Sequence, residues 1–227
     1  MSTVTDTSFR EELWSTVAPT YAAIVGHPFL AGIIDGSLPP EAFVRFVEQD
    51  RLYLRVYSRA LSFTAGHASD PDDTAVFTGS ASTAIAVEAG MHAELLEGFG
   101  ADPSHQREEL SPSGELYAQT ILAHSSRGPF AEALASVLAC FWVYAEMGHD
   151  LRAKGSPDPR YQRWVDTYGD EAFAATVEKV LAIVDRVGLE SGPVEKARFQ
   201  EIFAQGVRLE WMFWDCAWRL EEWPAIG

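Results

Sequence analysis

LASVLACFWVYAEMGHD, residues Leu134 to Asp150, decides the fold class of this chain. From Ala133 to Ala145 no side chain is charged, and Glu132 and Glu146 bracket the run. Ala, Leu and Met are frequent, and neither Gly nor Pro intervenes before Gly148, so the stretch reads as a helix. Its apolar residues occupy most of the circumference, which places it at the centre of a helical bundle and not on a surface. Cys140 and Tyr144 stand four apart and share a face. A thiol and a phenol on one face of a buried helix make either a site or plain core, since a lone buried cysteine is usually an inert small hydrophobe.

Outward from this helix the chain repeats the same period. Ser8 and Glu11 form a capping-box pattern. They open a helix carrying Leu13, Trp14, Val17, Tyr21 and Ile24, in which Pro19 is expected to kink or break the path. Gly26-His27-Pro28 ends it, with His27 as terminator. Phe29 to Asp35 is a short apolar piece, and a long helix runs from about Glu41 to Ala65. Further helices are expected over 74–97, weakened by Gly79 and Gly90, and over 114–124, 160–168 and 171–187. The last runs from about Val194 to Glu222. Gly188 to Gly192 reads as a turn. No stretch reads as a strand, so the fold class is all-α, a multi-helix bundle. Residues 1–7 are expected to be disordered, and 8–227 to form a single domain, a size that fits the chain's 227 residues.

Composition excludes several functions. The formal net charge is −16, and a field of that sign repels phosphate backbones and anionic bilayers, so neither nucleic acid nor a membrane is an expected partner. The three lysines, Lys154, Lys179 and Lys196, follow no Gly-rich loop, and each lies in a polar context unsuited to a Schiff base. Two cysteines, Cys140 and Cys216, give no disulfide framework. With no signal-like start and no apolar run of about 18 to 20 residues, the chain is expected to be cytoplasmic.

Carboxylates on apolar helix faces carry the functional information, because burying one is costly unless it is paired or used. Glu210 is flanked by Leu209, Trp211, Phe213 and Trp214. Asp50, Tyr53 and Tyr57 fall at i, i+3 and i+7 on one face of a strongly apolar helix. Each acid alone reads equally as a cap or an ion-pair partner. With Cys140 they make a more specific set: a thiol needs a nearby base to become a nucleophile, and a carboxyl in an apolar pocket becomes a proton donor near neutral pH. Tyr53, Tyr117, Tyr144, Tyr168 and Phe213 offer stacking faces and phenol hydroxyls. The set suits a small flat heteroaromatic ligand attacked by sulfur and protonated by a carboxylic acid. A metal reading competes through Glu146-Met147-Gly148-His149, the Glu-x-x-His spacing of di-iron bundles, and through Glu88 with His92. Only one Glu-x-x-His is present, so no metal is expected.

In order along the chain stand Leu13-Trp14, His27-Pro28-Phe29, Asp35-Gly36-Ser37-Leu38-Pro39, Phe43, Gln49-Asp50-x-x-Tyr53-Leu54, Glu88 with His92, and Tyr117. Cys140-x-Trp142-x-Tyr144-x-Glu146-x-Gly148, Tyr161-x-x-Trp164-x-x-x-Tyr168 and Glu210-x-x-Phe213-Trp214-Asp215 follow. This ordered set resembles the TenA family, also called thiaminase II, over nearly the whole chain, and Cys140 matches its cysteine-containing type. The resemblance implies a haem oxygenase-like fold without haem, a homotetramer, and no cofactor. It implies hydrolysis of aminomethylpyrimidine, a thiamin breakdown product, to hydroxymethylpyrimidine, with thiamin itself as a further substrate. By the same resemblance Cys140 adds to the pyrimidine ring and Glu210 protonates a ring nitrogen. Asp50 binds the amino edge and helps activate the thiol, while Tyr53, Tyr117, Tyr144, Tyr168 and Phe213 orient and sandwich the ring. Cys216 remains core. Arg51, Ala139 and Gly169-Asp170 depart from the family pattern, and Arg51 is expected to alter the pocket entrance. Two other readings stand beside this one: a non-catalytic or regulatory pyrimidine-binding protein, and a redox enzyme resembling the pyrroloquinoline quinone synthase relatives. The missing cluster of basic residues for an acidic quinone argues against the latter.

Overall fold

The computed structural model of the chain describes residues 7–101, 107–167 and 171–225, with only the backbone at 87–89. The expectations for residues 1–6, the Glu88 side chain, Tyr168 and Gly169-Asp170 fall outside the described residues. Among the described residues there are nine helices and no strand. They are α1 (Phe9–Val25), α2 (Pro28–Asp35), α3 (Pro40–His67), α4 (Pro71–Gly98), α5 (Pro112–Arg127), α6 (Phe130–Lys154), α7 (Pro159–Thr167), α8 (Glu171–Glu190) and α9 (Pro193–Trp218).

The capping box at Ser8 is made: its backbone N–H donates to Glu11 Oε2 at 2.8 Å, and its Oγ accepts from Glu11 N. Pro19, however, does not break α1. It lies on the exposed side, where water can satisfy the carbonyl it frees, and buried Leu13, Val17 and Ile24 anchor both halves of the helix to the core. His27 starts α2 as well as ending α1. Its Nδ1 accepts from Phe29 N at 3.1 Å, and Pro28 supplies the first helical residue. Gly79 and Gly90 leave α4 uninterrupted.

Two boundaries differ from the sequence expectation for reasons of packing. α8 continues through Gly188 because that glycine is a point of close approach and not a turn. A Cβ there would sit 2.5 Å from Phe9. At the other end, α9 stops at Trp218, short of Glu222. Arg45 draws the tail back, donating to the Glu221 carbonyl at 2.8 Å and to Glu222 Oε1 at 2.8 Å. Ser113 N donates to Glu221 Oε2 at 2.9 Å, and Arg107 pairs with Glu222.

α6 runs through the middle of the bundle, with Ala133 to Ala139 all buried. By length and composition α6 does pass as a membrane span, contrary to the sequence reading, but 67% of its most apolar window is buried by its neighbours. α9 crosses it closely, since a Cβ on Gly206 would lie 3.0 Å from Ala139 Cβ. Below the crossing is an aromatic cluster: Phe46 stacks on Trp214 at 4.6 Å, and Phe29, Trp164 and Phe213 pack edge-on or tilted around them. Each such pair adds roughly 0.5–1.5 kcal/mol beyond its buried area. The cluster fixes the relative rotation of α3 and α9, which carry the buried carboxylates of Asp50 and Glu210.

Candidate active site

Four helices converge on one region. α3 presents Asp50, Tyr53 and Tyr57, α5 presents Tyr117, α6 presents Cys140 and Tyr144, and α9 presents Glu210 and Phe213. A cavity of about 520 Å³ opens beside them, bounded by α3, α4, α6, the end of α7 and α8. Asp50, Tyr57, Cys140 and Tyr144 stand in its wall, and Ser80, Thr83 and Lys179 are among its further lining residues. The rest of the wall is mainly apolar, as expected of a site that desolvates a flat ring.

Behind that wall lies a packed layer. Tyr117 Oη donates to Glu210 Oε1 at 2.6 Å. The Tyr53 ring lies 4.8 Å from Tyr117, 5.5 Å from Phe213 and 5.6 Å from Tyr57, stacked on the last. Tyr57 Oη donates to the Val137 carbonyl at 3.0 Å, tying α3 to α6 one turn before the cysteine. Tyr144 packs on Trp214. Glu210 is 1% exposed. Burial pushes its pKa up to about 8, the Tyr117 hydrogen bond holds it down, and the charge of Asp50 adds to the rise. Burial also pushes the Cys140 thiol well up, with Glu210 and Asp50 adding to it, while the Tyr53 and Tyr57 hydroxyls favour the thiolate. At neutral pH the site therefore rests as a thiol beside a protonated carboxylic acid. Such a thiol needs a proton acceptor before it attacks.

The structure brings seven of the eight sequence-derived site residues together, and the eighth, Tyr168, lies outside the described residues. Arg51 does not stand at the cavity. Its guanidinium donates to the Arg107 carbonyl at 2.6 Å, bracing the segment before α5. Glu146 accepts from Trp142 Nε1 at 3.2 Å, and His149 is exposed. Cys216 is buried, and its Sγ donates to the Phe213 carbonyl. Sequence reasoning missed the partner of Asp50, which is His92 on α4: Nε2 lies 2.9 Å from Oδ2. The signal available was a histidine between Met91 and the apolar pair Leu95-Leu96, on a face that must be buried.

This arrangement, helices throughout and a carboxylate-and-thiol cavity at the bundle centre, defines an all-α protein of the haem oxygenase-like fold. A Shewanella denitrificans domain described by that fold superposes with a TM-score of 0.72 over 92% of this chain and 91% of its own, at 13% identity, which bears on the fold alone. The chain belongs to the TENA/THI-4/PQQC family, whose model matches residues 14–220. It is 34% identical over 220 residues to the aminopyrimidine aminohydrolase of Bacillus subtilis, covering 95% of this chain and 92% of that one. It is 30% identical to the enzyme of the same name from Halalkalibacterium halodurans, covering 97% and 100%. A TenA homologue from P. horikoshii superposes with a TM-score of 0.83 at 28% identity, over 93% of this chain and 99% of its own.

Proposed function

We propose that this protein is an aminopyrimidine aminohydrolase, converting aminomethylpyrimidine to hydroxymethylpyrimidine in thiamin salvage and able to cleave thiamin. The observation that carries the reading is that Cys140 and Asp50 stand in one cavity wall, with Glu210 held by the Tyr117 hydroxyl behind it. The names of the two aminohydrolase relatives support the substrate class.

The resting thiol and the neutral acid set the order of events. Asp50 accepts the amino edge of the pyrimidine and takes the Cys140 proton as sulfur bonds to a ring carbon. Glu210 delivers its proton to a ring nitrogen, so the ring loses aromaticity without building up charge. The exocyclic C–N bond then breaks, and the amine leaves as ammonia with a proton from the site. Water adds to the methylene and leaves a proton on Asp50, the ring nitrogen returns its proton to Glu210, and sulfur departs with the ring electrons restored, taking the Asp50 proton so that thiol and carboxylate are regenerated. Net, one water is consumed and one ammonia released. Tyr53, Tyr117, Tyr144, Tyr168 and Phe213 orient the ring and the acids. The reaction as written uses no metal or organic cofactor. Residues 8–227 act as one catalytic unit in a cytoplasmic homotetramer. Among the described residues lining the cavity Lys179 is the one basic side chain, a poor match for an acidic quinone.

Turnover of aminomethylpyrimidine and thiamin, followed as ammonia and thiazole release, tests the proposal. The wild type should turn over aminomethylpyrimidine, and Cys140→Ala should lose at least about 100-fold, the scale of a lost nucleophile. Binding of hydroxymethylpyrimidine without turnover of either substrate would leave the non-catalytic pyrimidine-binding reading in its place.

A further inference from the structure

His92 has no place in the chemistry above, yet its setting is too costly for a packing residue. It sits on α4, 1% exposed, and Asp50 on α3 is 5% exposed. The pair is joined by Nε2 and Oδ2 at 2.9 Å. The other ring nitrogen, Nδ1, is buried with no hydrogen-bond partner among the described residues. That orphan fixes the direction of the bond. A proton on Nδ1 would be a buried N–H with nothing to accept it, the rarer and costlier arrangement. The ring therefore carries its proton on Nε2 and donates it to Asp50, leaving only a bare lone pair at Nδ1. An apolar residue would fill the space without the orphan. What the imidazole adds is a fixed donor to one oxygen of Asp50.

Asp50 lines the cavity, and with Oδ2 held on the α4 side, Oδ1 is the oxygen left for a ligand. We infer that His92 is the positioning residue of this site: it locks the Asp50 carboxylate so that Oδ1 accepts the amino edge of an aminopyrimidine, and it touches neither the ring nor the thiol. This rests on the function proposed above and deepens it. A carboxylate free to swing would still bind the ring but would hold it off the line of attack, and misplacement of about 1 Å costs about 100-fold.

The test uses His92→Leu, His92→Gln, Asp50→Asn and the Asp50→Asn/His92→Leu double variant, with 15N NMR of the wild-type imidazole. His92→Leu should lower kcat/KM about 100-fold. His92→Gln, whose amide N–H reaches the same place, should recover most of that loss. In the Asp50→Asn background His92→Leu should cost less than about threefold more, because the group it positions is already gone. The imidazole spectrum should show the proton on Nε2, a readout that needs no substrate. A proton on Nδ1, wild-type kcat/KM in His92→Leu, or fully additive losses would each overturn the inference. Should His92→Leu fail to fold, the Gln variant and the spectrum decide. If the wild type turns over no aminopyrimidine, the proposed function fails and the spectrum still tests the His92–Asp50 lock.

Discussion

Under the proposed function Glu210 couples stability and catalysis through one proton. Its carboxyl is raised from the ordinary 4.5 to about 8 by burial, so the folded state binds a proton that the unfolded chain has lost above about 4.5. The stability it confers is complete below the unfolded value and drains away as pH rises toward about 8, at about 1.4 kcal/mol per pH unit. Unfolding midpoints across that window should fall with pH in the wild type and flatten in Glu210→Gln. In the proposed reaction the same proton is donated to the ring, so activity should fall as pH climbs past about 8. Tyr117 holds the pKa down through its hydrogen bond. In Tyr117→Phe the alkaline limb of the rate profile should therefore move to higher pH, and a downward shift would contradict the assignment of that limb to Glu210.

The helices set distances that no single side chain could. Gly206 and Ala139 let α9 approach α6 closely enough for the cysteine face of one to meet the glutamate face of the other. The small side chain of Ala139 suits that crossing. Gly206→Val should force the two helices apart, costing about 1–3 kcal/mol of stability as an overpacked contact. It should also lower kcat, with thermal unfolding and steady-state rates as the measurements. Much of this level could be read in advance. The i, i+3, i+7 set of Asp50, Tyr53 and Tyr57 follows from helical period alone. Gly188 could not be read, because its role is contact with Phe9, which lies at the opposite end of the sequence. Local rules assign such a glycine to a turn.

For the whole molecule, the charge of −16 is spread over a surface that also exposes Trp218 and Trp223. Trp223 is tied to the loop before α5 by a hydrogen bond from Nε1 to the Leu110 carbonyl at 2.9 Å. Exposed tryptophans near the end of the chain are suited to a partner surface. With the proposed homotetramer, light scattering should give four times the 25.0 kDa chain mass. Charge reversal near Trp223 should shift that equilibrium more than charge reversal on the far face.

Sequence alone determined the all-α class and the central position of α6, and it marked Cys140, Asp50 and Glu210 as candidates, a set that the family resemblance made specific. Helical period and the cost of burying acids are local properties that need no coordinates. It could not show that Pro19 is tolerated, because that depends on which side of α1 faces water. Nor could it show that Arg51 braces a loop away from the cavity, or that α9 ends where Arg45 captures the tail. Tertiary structure alone paired His92 with Asp50 across two helices and left Nδ1 without a partner among the described residues. The two residues are 42 positions apart, and only the packing of α4 on α3 turns that separation into a hydrogen bond.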